Sequence, residues 1–109
     1  MIITTTPTIE GREIYAYCGV VFGEVAIGVD FSSLVGDSVP YKELFGGRVS
    51  TYEEELIKAK NNALAEMERR AAKLGADAVV GVYVDCKVLG QERQSMLAVS
   101  VSGTAVKLK

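Results

Sequence analysis

Histidine and tryptophan are both absent from this 109-residue chain, which carries only two prolines and two cysteines, Cys18 and Cys86. The missing histidine removes the commonest general base at neutral pH and the commonest metal ligand. His-dependent triads, Cys–His nucleophile pairs and His-containing zinc sites are therefore excluded within one chain. No C-x-x-C occurs, which rules out thioredoxin-like and zinc-knuckle spacing. An excess of positive charge is lacking too: 12 basic side chains against 14 acidic ones give a net charge of −2, with no basic stripe. That balance argues against a nucleic-acid partner. No apolar run reaches the roughly 18 residues that span a bilayer, so no membrane partner is expected. The opening "MIITTTPTIEGRE" has neither a basic n-region nor an apolar h-region, so it is not read as a signal peptide. The expected location is the cytoplasm, where both thiols are reduced. The glycines match no P-loop and no G-x-G-x-x-G.

What the chain does have is apolar mass. Hydrophobic residues make up 49 % of it, and its length fits one domain over residues 1–109. A domain this small has a poor ratio of volume to surface, so that much apolar material points to self-association.

The clearest element is a helix over Ser50–Leu74. Tyr52, Leu56, Ala59, Ala63, Met67, Ala71 and Leu74 recur at spacings of three and four. Ser50 and Glu53 read as a capping box, and Gly75 as the left-handed stop. At 1.5 Å per residue this helix spans about 37 Å. Three strands are expected around it, Glu13–Gly28, Ala78–Leu89 and Ser95–Val106, the last two joined by a hairpin loop over Gly90–Gln94. Ile2–Thr6 suits a short edge strand ended by Pro7. Between Asp30 and Gly47 the pattern is weak, with a short helix expected behind Pro40 and a turn at Gly36–Ser38.

A right-handed crossover makes the first two long strands parallel in direction, and the third runs antiparallel to both. Numbered in chain order, the expected sheet is 1-3-2. The fold class is then α+β, a two-layer sandwich with one long helix on a mainly antiparallel sheet. One helix covers one sheet face. Strand parity puts Tyr15, Tyr17, Val21, Val79, Tyr83, Met96 and Ala98 on the other, among Ser100 and Ser102. Such a face is too apolar to stay wet, so a homo-oligomer is expected.

Candidate chemistry is sparse. Cys18 shares parity with Ile14, Ala16, Val20 and Phe22, and Cys86 with Val80, Val82, Val84 and Val88. Both thiols are expected to face the helix as small hydrophobes. Their strands lie about 9.6 Å apart across the middle strand, too far for a disulfide, which needs Cα atoms within about 7 Å. Glu24, Asp30, Asp77 and Asp85 sit near strand ends, where carboxylates act as acid–base pairs, as hard-cation ligands or, more commonly, as caps. Thr4, Thr5, Thr6, Ser100, Ser102 and Thr104 supply hydroxyls for a polar patch or for cross-strand ladders. None has an evident activating base, so no enzyme activity is expected.

Six segments in matching order, "TTTPTIEGREI", "YCGVVFGE", "GGR", "YEEEL", "LGADAVVGV" and "SMLAVSVSGTAV", resemble the YbjQ-like family over nearly the whole chain. That family consists of small bacterial and archaeal proteins carried under a heavy-metal-binding label, with no defined activity. The resemblance implies a dodecin-like fold, a ring-shaped homopentamer, and Cys18 as the thiol that would hold a soft metal ion. Cys86 stands where the family pattern has no thiol. The family also tends to run a single helix where Gly36 and Pro40 interrupt Phe31–Phe45 here. The reading without metal is a small-molecule-binding or scaffolding oligomer, with Tyr15, Tyr17, Ser100 and Ser102 at its interfaces.

Overall fold

The computed structural model describes residues 1–30, 49–91 and 94–109, with side chains placed for 1–27, 53–88 and 96–109. In chain order the elements are β1 (Ile2–Ile3), β2 (Ile14–Asp30), α1 (Val49–Lys73), β3 (Ala78–Gln91) and β4 (Gln94–Leu108). The short helix expected behind Pro40 and the turn at Gly36–Ser38 lie outside the described residues. The hairpin connection narrows to residues 92–93, also outside them, because the strands extend to Gln91 and resume at Gln94.

One mixed sheet carries the strands in the order β1-β3-β4-β2. This corrects the three-strand order 1-3-2. Ile2–Ile3 pairs in parallel with Ala78–Val79 and adds a fourth strand at one edge. β4 lies between β2 and β3 and is antiparallel to both. A long central strand with a hydrogen-bonded neighbour on each side has its backbone groups paired along both edges, and it buries Leu97, Val99, Val101 and Ala105 on one face.

The ladder slips at three places, first between Ile14 and Ala16 at the start of β2, and the other two set which later side chains face the helix. The β2–β4 register slips between Tyr17 and Gly19, where Gly19 adopts φ 125°. The β3–β4 register slips between Val80 and Tyr83, around Gly81 at φ 61°. Each bulge inserts a residue and reverses the alternation beyond it. Past Gly19 the helix-facing residues of β2 are therefore Val21, Val25 and Ile27, while Val20 and Phe22 turn to the opposite face. The expectation that Val21 and Val79 lie on the open face is corrected: both are core residues beneath α1.

The helix packs chiefly on β2 and β4 and touches β3 little. Its inner stripe is Ala59, Ala63, Met67 and Ala71, all buried. Three of the four are alanine, which lets the helix backbone come down onto the sheet at Gly23. The far end stops as a Schellman motif. The Ala76 amide donates to the Ala71 carbonyl at 3.2 Å and the Gly75 amide to Ala72 at 3.0 Å, with Gly75 at φ 76°. At the near end the helix begins at Val49, so Ser50 is inside the first turn and not the cap before it. The side chain of Ser50 is outside the described ones.

The N-terminal segment is tied to β3 by its backbone. Thr4 donates to Val79 at 3.0 Å and accepts from Val82 at 3.1 Å, and Thr6 accepts from the Gly81 amide at 2.9 Å. The threonine hydroxyls stiffen this segment internally: Thr4 and Thr6 share a 2.9 Å bond, and Thr6 donates to the Thr8 carbonyl at 2.6 Å. A second small cluster, Ala78, Val80, Val106 and Leu108, is packed by Ile9 and Ile14.

Candidate functional site

The sheet face opposite the helix holds most of the chemistry the chain offers. Pairing places Val20, Thr104 and Val80 in one row, Phe22, Ser102 and Tyr83 in the next, and Glu24, Ser100 and Asp85 in the one after. Half-buried hydroxyls of Ser100, Ser102 and Thr104 thus run down the middle strand, the last two flanked by apolar and aromatic groups and Ser100 by the carboxylates Glu24 and Asp85. Val80 is buried in the second cluster, but the rest of the face is open: Val20 is 77 % exposed, Tyr17 75 %, Tyr83 66 %, Phe22 54 % and Met96 47 %.

Tyr17 pairs with Val106, four positions along β4 from Ser102, or about 13 Å at the rise of a strand. Within one chain Tyr17 therefore does not stand beside Ser100 and Ser102, and Phe22 and Tyr83 flank Ser102 instead. The sequence reading missed Val20 and Phe22 on this face because it carried one alternation through Gly19. A glycine in the middle of a strand pattern is the signal that marks such a break.

Of the carboxylates, Glu24 and Asp85 share a row but stand on either side of Ser100, two strand spacings or about 9.6 Å apart. That is too far to share a proton or a cation. Lys87 lies 3.7 Å from Asp85. Asp77 serves the backbone: its Oδ2 accepts from the Leu108 amide at 2.9 Å, while its own amide donates to Val106 at 2.8 Å. The side chain of Asp30 lies outside the described ones.

The two thiols part company. Cys18 is partly buried and packs against the core beneath α1. Cys86 is exposed, which corrects the expectation that it packs under the helix. Its partner Val99 is fully buried on that side of the sheet, so Cys86 faces the right way, but α1 lies over β2 and β4 and leaves it bare. Cys18 precedes Gly19, which pairs with Ala105, whereas Cys86 pairs with Val99. Six positions of β4 separate the two levels, about 20 Å along the strand.

A soft metal ion needs several thiolates or equivalent donors converging within bonding distance, about 2.3 Å for zinc–sulfur. Among the described residues no group of three or more His, Cys, Asp or Glu side chains is placed to hold one. Cys18 belongs to no such group, so the described residues of one chain do not fit such a site.

At the outer edge of β2, Arg70 of α1 donates to the Phe22 carbonyl at 2.7 Å and stacks over the Phe22 ring at 4.5 Å, held by an ion pair to Glu66. This clamp ties helix to sheet edge. No helix among the described residues is long and apolar enough to cross a membrane.

These features define a class: a small α+β chain with one helix on an open mixed sheet, an uncovered aromatic face and no assembled metal centre among the described residues. The chain belongs to the YbjQ family, whose model, described as "Putative heavy-metal-binding", matches residues 1–109. It is 55 % identical over 106 residues to a UPF0145 protein of Clostridium botulinum, covering 97 % of both chains. A UPF0145 protein of Bifidobacterium longum subsp. infantis is 49 % identical over 108 residues, covering 99 % of this chain and 96 % of that one. In three dimensions the fold is similar to the crystal structure of a protein of unknown function, of the DUF74 family, from Pediococcus pentosaceus. The TM-score is 0.62 at 17 % identity, with 100 % of this chain and 98 % of that one covered.

Proposed function

We propose that this protein is a non-catalytic, cytoplasmic homo-oligomer that buries its open sheet face among its own copies and presents the hydroxyl stripe there to a small molecule. The observation that carries the reading is that face: Val20, Phe22, Tyr83 and Met96 are each about half exposed or more on one side of the sheet. Burying a side chain of this size contributes roughly 1.5–3 kcal/mol, so a few of them per contact supply a stable assembly. The ring-shaped pentamer that the family resemblance implies suits this reading, since a closed ring gives every copy the same contacts.

The family description favours a second reading, a soft metal held by Cys18. With no metal-holding donor group among the described residues of its own chain, Cys18 would need the thiols of other copies to complete a site. One experiment separates the two. Native mass spectrometry of the untagged protein gives the assembly mass as a multiple of 11.7 kDa. The same sample is titrated with Cu(I), Zn(II) or Cd(II), before and after Cys18→Ala. The oligomer reading expects a discrete assembly that takes up no stoichiometric metal. A single-chain mass overturns it, and metal uptake that Cys18→Ala abolishes without loss of assembly establishes the metal reading instead.

A further inference from the structure

The two sides of the sheet are blocked to the same level and open beyond it. On β3, the N-terminal segment occupies the outer edge as far as Val82, whose amide donates to Thr4. On β2, Arg70 satisfies the outward carbonyl of Phe22. Phe22 and Tyr83 both pair with Ser102, so the two blocks end at one level of the sheet. Beyond it, β2 from Gly23 and β3 from Val84 have no partner on their outer edges among the described residues. Neither stretch carries a proline, and Lys87 is the one basic residue on either. Natural sheets protect exposed edges with prolines, lysines, bulges or short strands, and here the regular pairing runs on without a bulge to the end of both strands.

The geometry of the two edges is complementary. Backbone groups of a strand point alternately to one side and the other. The Phe22 carbonyl points outward, so those of Glu24 and Ala26 do as well. Across β4 the same alternation turns Tyr83 and Asp85 inward and Val84, Cys86 and Val88 outward. A parallel ladder needs one residue facing across to the two neighbours of the residue opposite it. Glu24 lies level with Asp85, which is flanked by the outward-facing Val84 and Cys86. Both strands already point the same way, since each is antiparallel to β4. A rotation about an axis along the strands therefore brings β2 of one copy beside β3 of the next in parallel. A shift by an even number of residues preserves both the hydrogen bonding and the sheet faces. With no shift Glu24 would meet Asp85, which is repulsive. A shift of two sets Glu24 beside Lys87 instead.

We propose that the outer edge of β2 around Glu24–Ala26 pairs in parallel with the outer edge of β3 around Val84–Val88 of a second copy of this chain, with Glu24 beside Lys87, so that the sheet continues from subunit to subunit. The contact is head-to-tail, and such a contact closes into a ring where the rotation between copies divides a full turn. This rests on the homo-oligomer reading and adds to its buried sheet face the strand edges through which neighbouring copies join.

The test is native mass spectrometry on the wild type and on Ala26→Pro, Glu24→Lys, Lys87→Glu and the double variant Glu24→Lys/Lys87→Glu, each checked for its fold by circular dichroism. Ala26→Pro removes an outward amide, and folded chains are expected at the single-chain mass of 11.7 kDa. Each single charge reversal is expected to weaken assembly several-fold, and the double reversal to recover it. Amide exchange on the assembled wild type supplies a readout free of substitution: the amides of Ala26 and Val88 are expected to be protected in the assembly and to lose that protection on dilution to single chains. A wild type that is itself a single chain overturns the homo-oligomer reading and this proposal together. A wild-type assembly whose mass survives Ala26→Pro, or whose edge amides exchange freely, overturns the edge pairing and leaves the homo-oligomer reading standing.

Discussion

Gly23 of β2 lies directly against Ala63 of α1: a methyl group at position 23 would overlap the Ala63 carbonyl oxygen and press on the Met67 backbone nitrogen. Helix and sheet meet there through main chain, with no side chain between them. Gly23→Ala is expected to force the helix away from the sheet and to cost about 1–3 kcal/mol or more, as overpacking does. Urea unfolding followed by circular dichroism measures it. A variant as stable as the wild type would show that the helix docks elsewhere.

Gly19 makes a different demand. A Cβ there meets nothing within 4 Å, but φ is 125°, where L side chains are strained at a cost of about 1–3 kcal/mol. Gly19→Ala is therefore expected to destabilise through the backbone alone. Because Cys18 is the next residue, the same variant is expected to speed its labelling by a thiol reagent, which Gly23→Ala, farther along the strand, does to a smaller extent.

The two cysteines give a direct reading of the sheet. Cys86 is exposed and Cys18 partly buried against the core. A bulky aromatic disulfide reagent is expected to modify one thiol per chain quickly and a second slowly. Cys86→Ser removes the fast phase and leaves stability nearly unchanged. Two equally fast thiols in the folded protein would contradict the placement of Cys18.

Met67 is fully buried at the centre of the helix stripe. Met67→Ala opens a void over the sheet and is expected to lower stability by about 2–5 kcal/mol. The same unfolding assay reports it, and a loss below about 1 kcal/mol would mean that the site collapses.

Asp77 holds the end of β4 through the Leu108 amide. Asp77→Ala leaves that part-buried donor without its partner and is expected to cost about 1–3 kcal/mol. Asp77→Asn retains an oxygen acceptor and is expected to cost less. Faster amide exchange at Leu108 in the alanine variant checks the cause.

Much of this was readable from local pattern. The three- and four-residue spacing of Leu56, Ala59, Ala63, Met67 and Ala71 places them on one helix face, and Gly75 after Lys73 stops the helix as a positive-φ cap. The valine-rich runs around Val79 and Val99 declare strands, and the direction of each follows from the crossover. For the site, strand alternation sets the hydroxyls of Ser100 and Ser102 and the aromatic Tyr83 on the open face, where pairing puts them.

What local pattern does not carry is phase across a bulge. A bulge depends on whether the opposing strand has room for an extra residue, and that is settled between strands. The slips at Gly19 and Gly81 decide that Val21 and Val79 are core and that Val20 and Phe22 are open. The lateral position of α1 is also tertiary: it follows β2 and β4 because Gly23 admits its backbone, and so Cys86 stays bare on a face that alternation alone marks as buried. The chain's own composition determined a helix, a sheet and the absence of histidine chemistry, because those depend on residue types and their spacing. The face that remains open was decided by the fold, because it depends on which backbones approach and where the ladder slips.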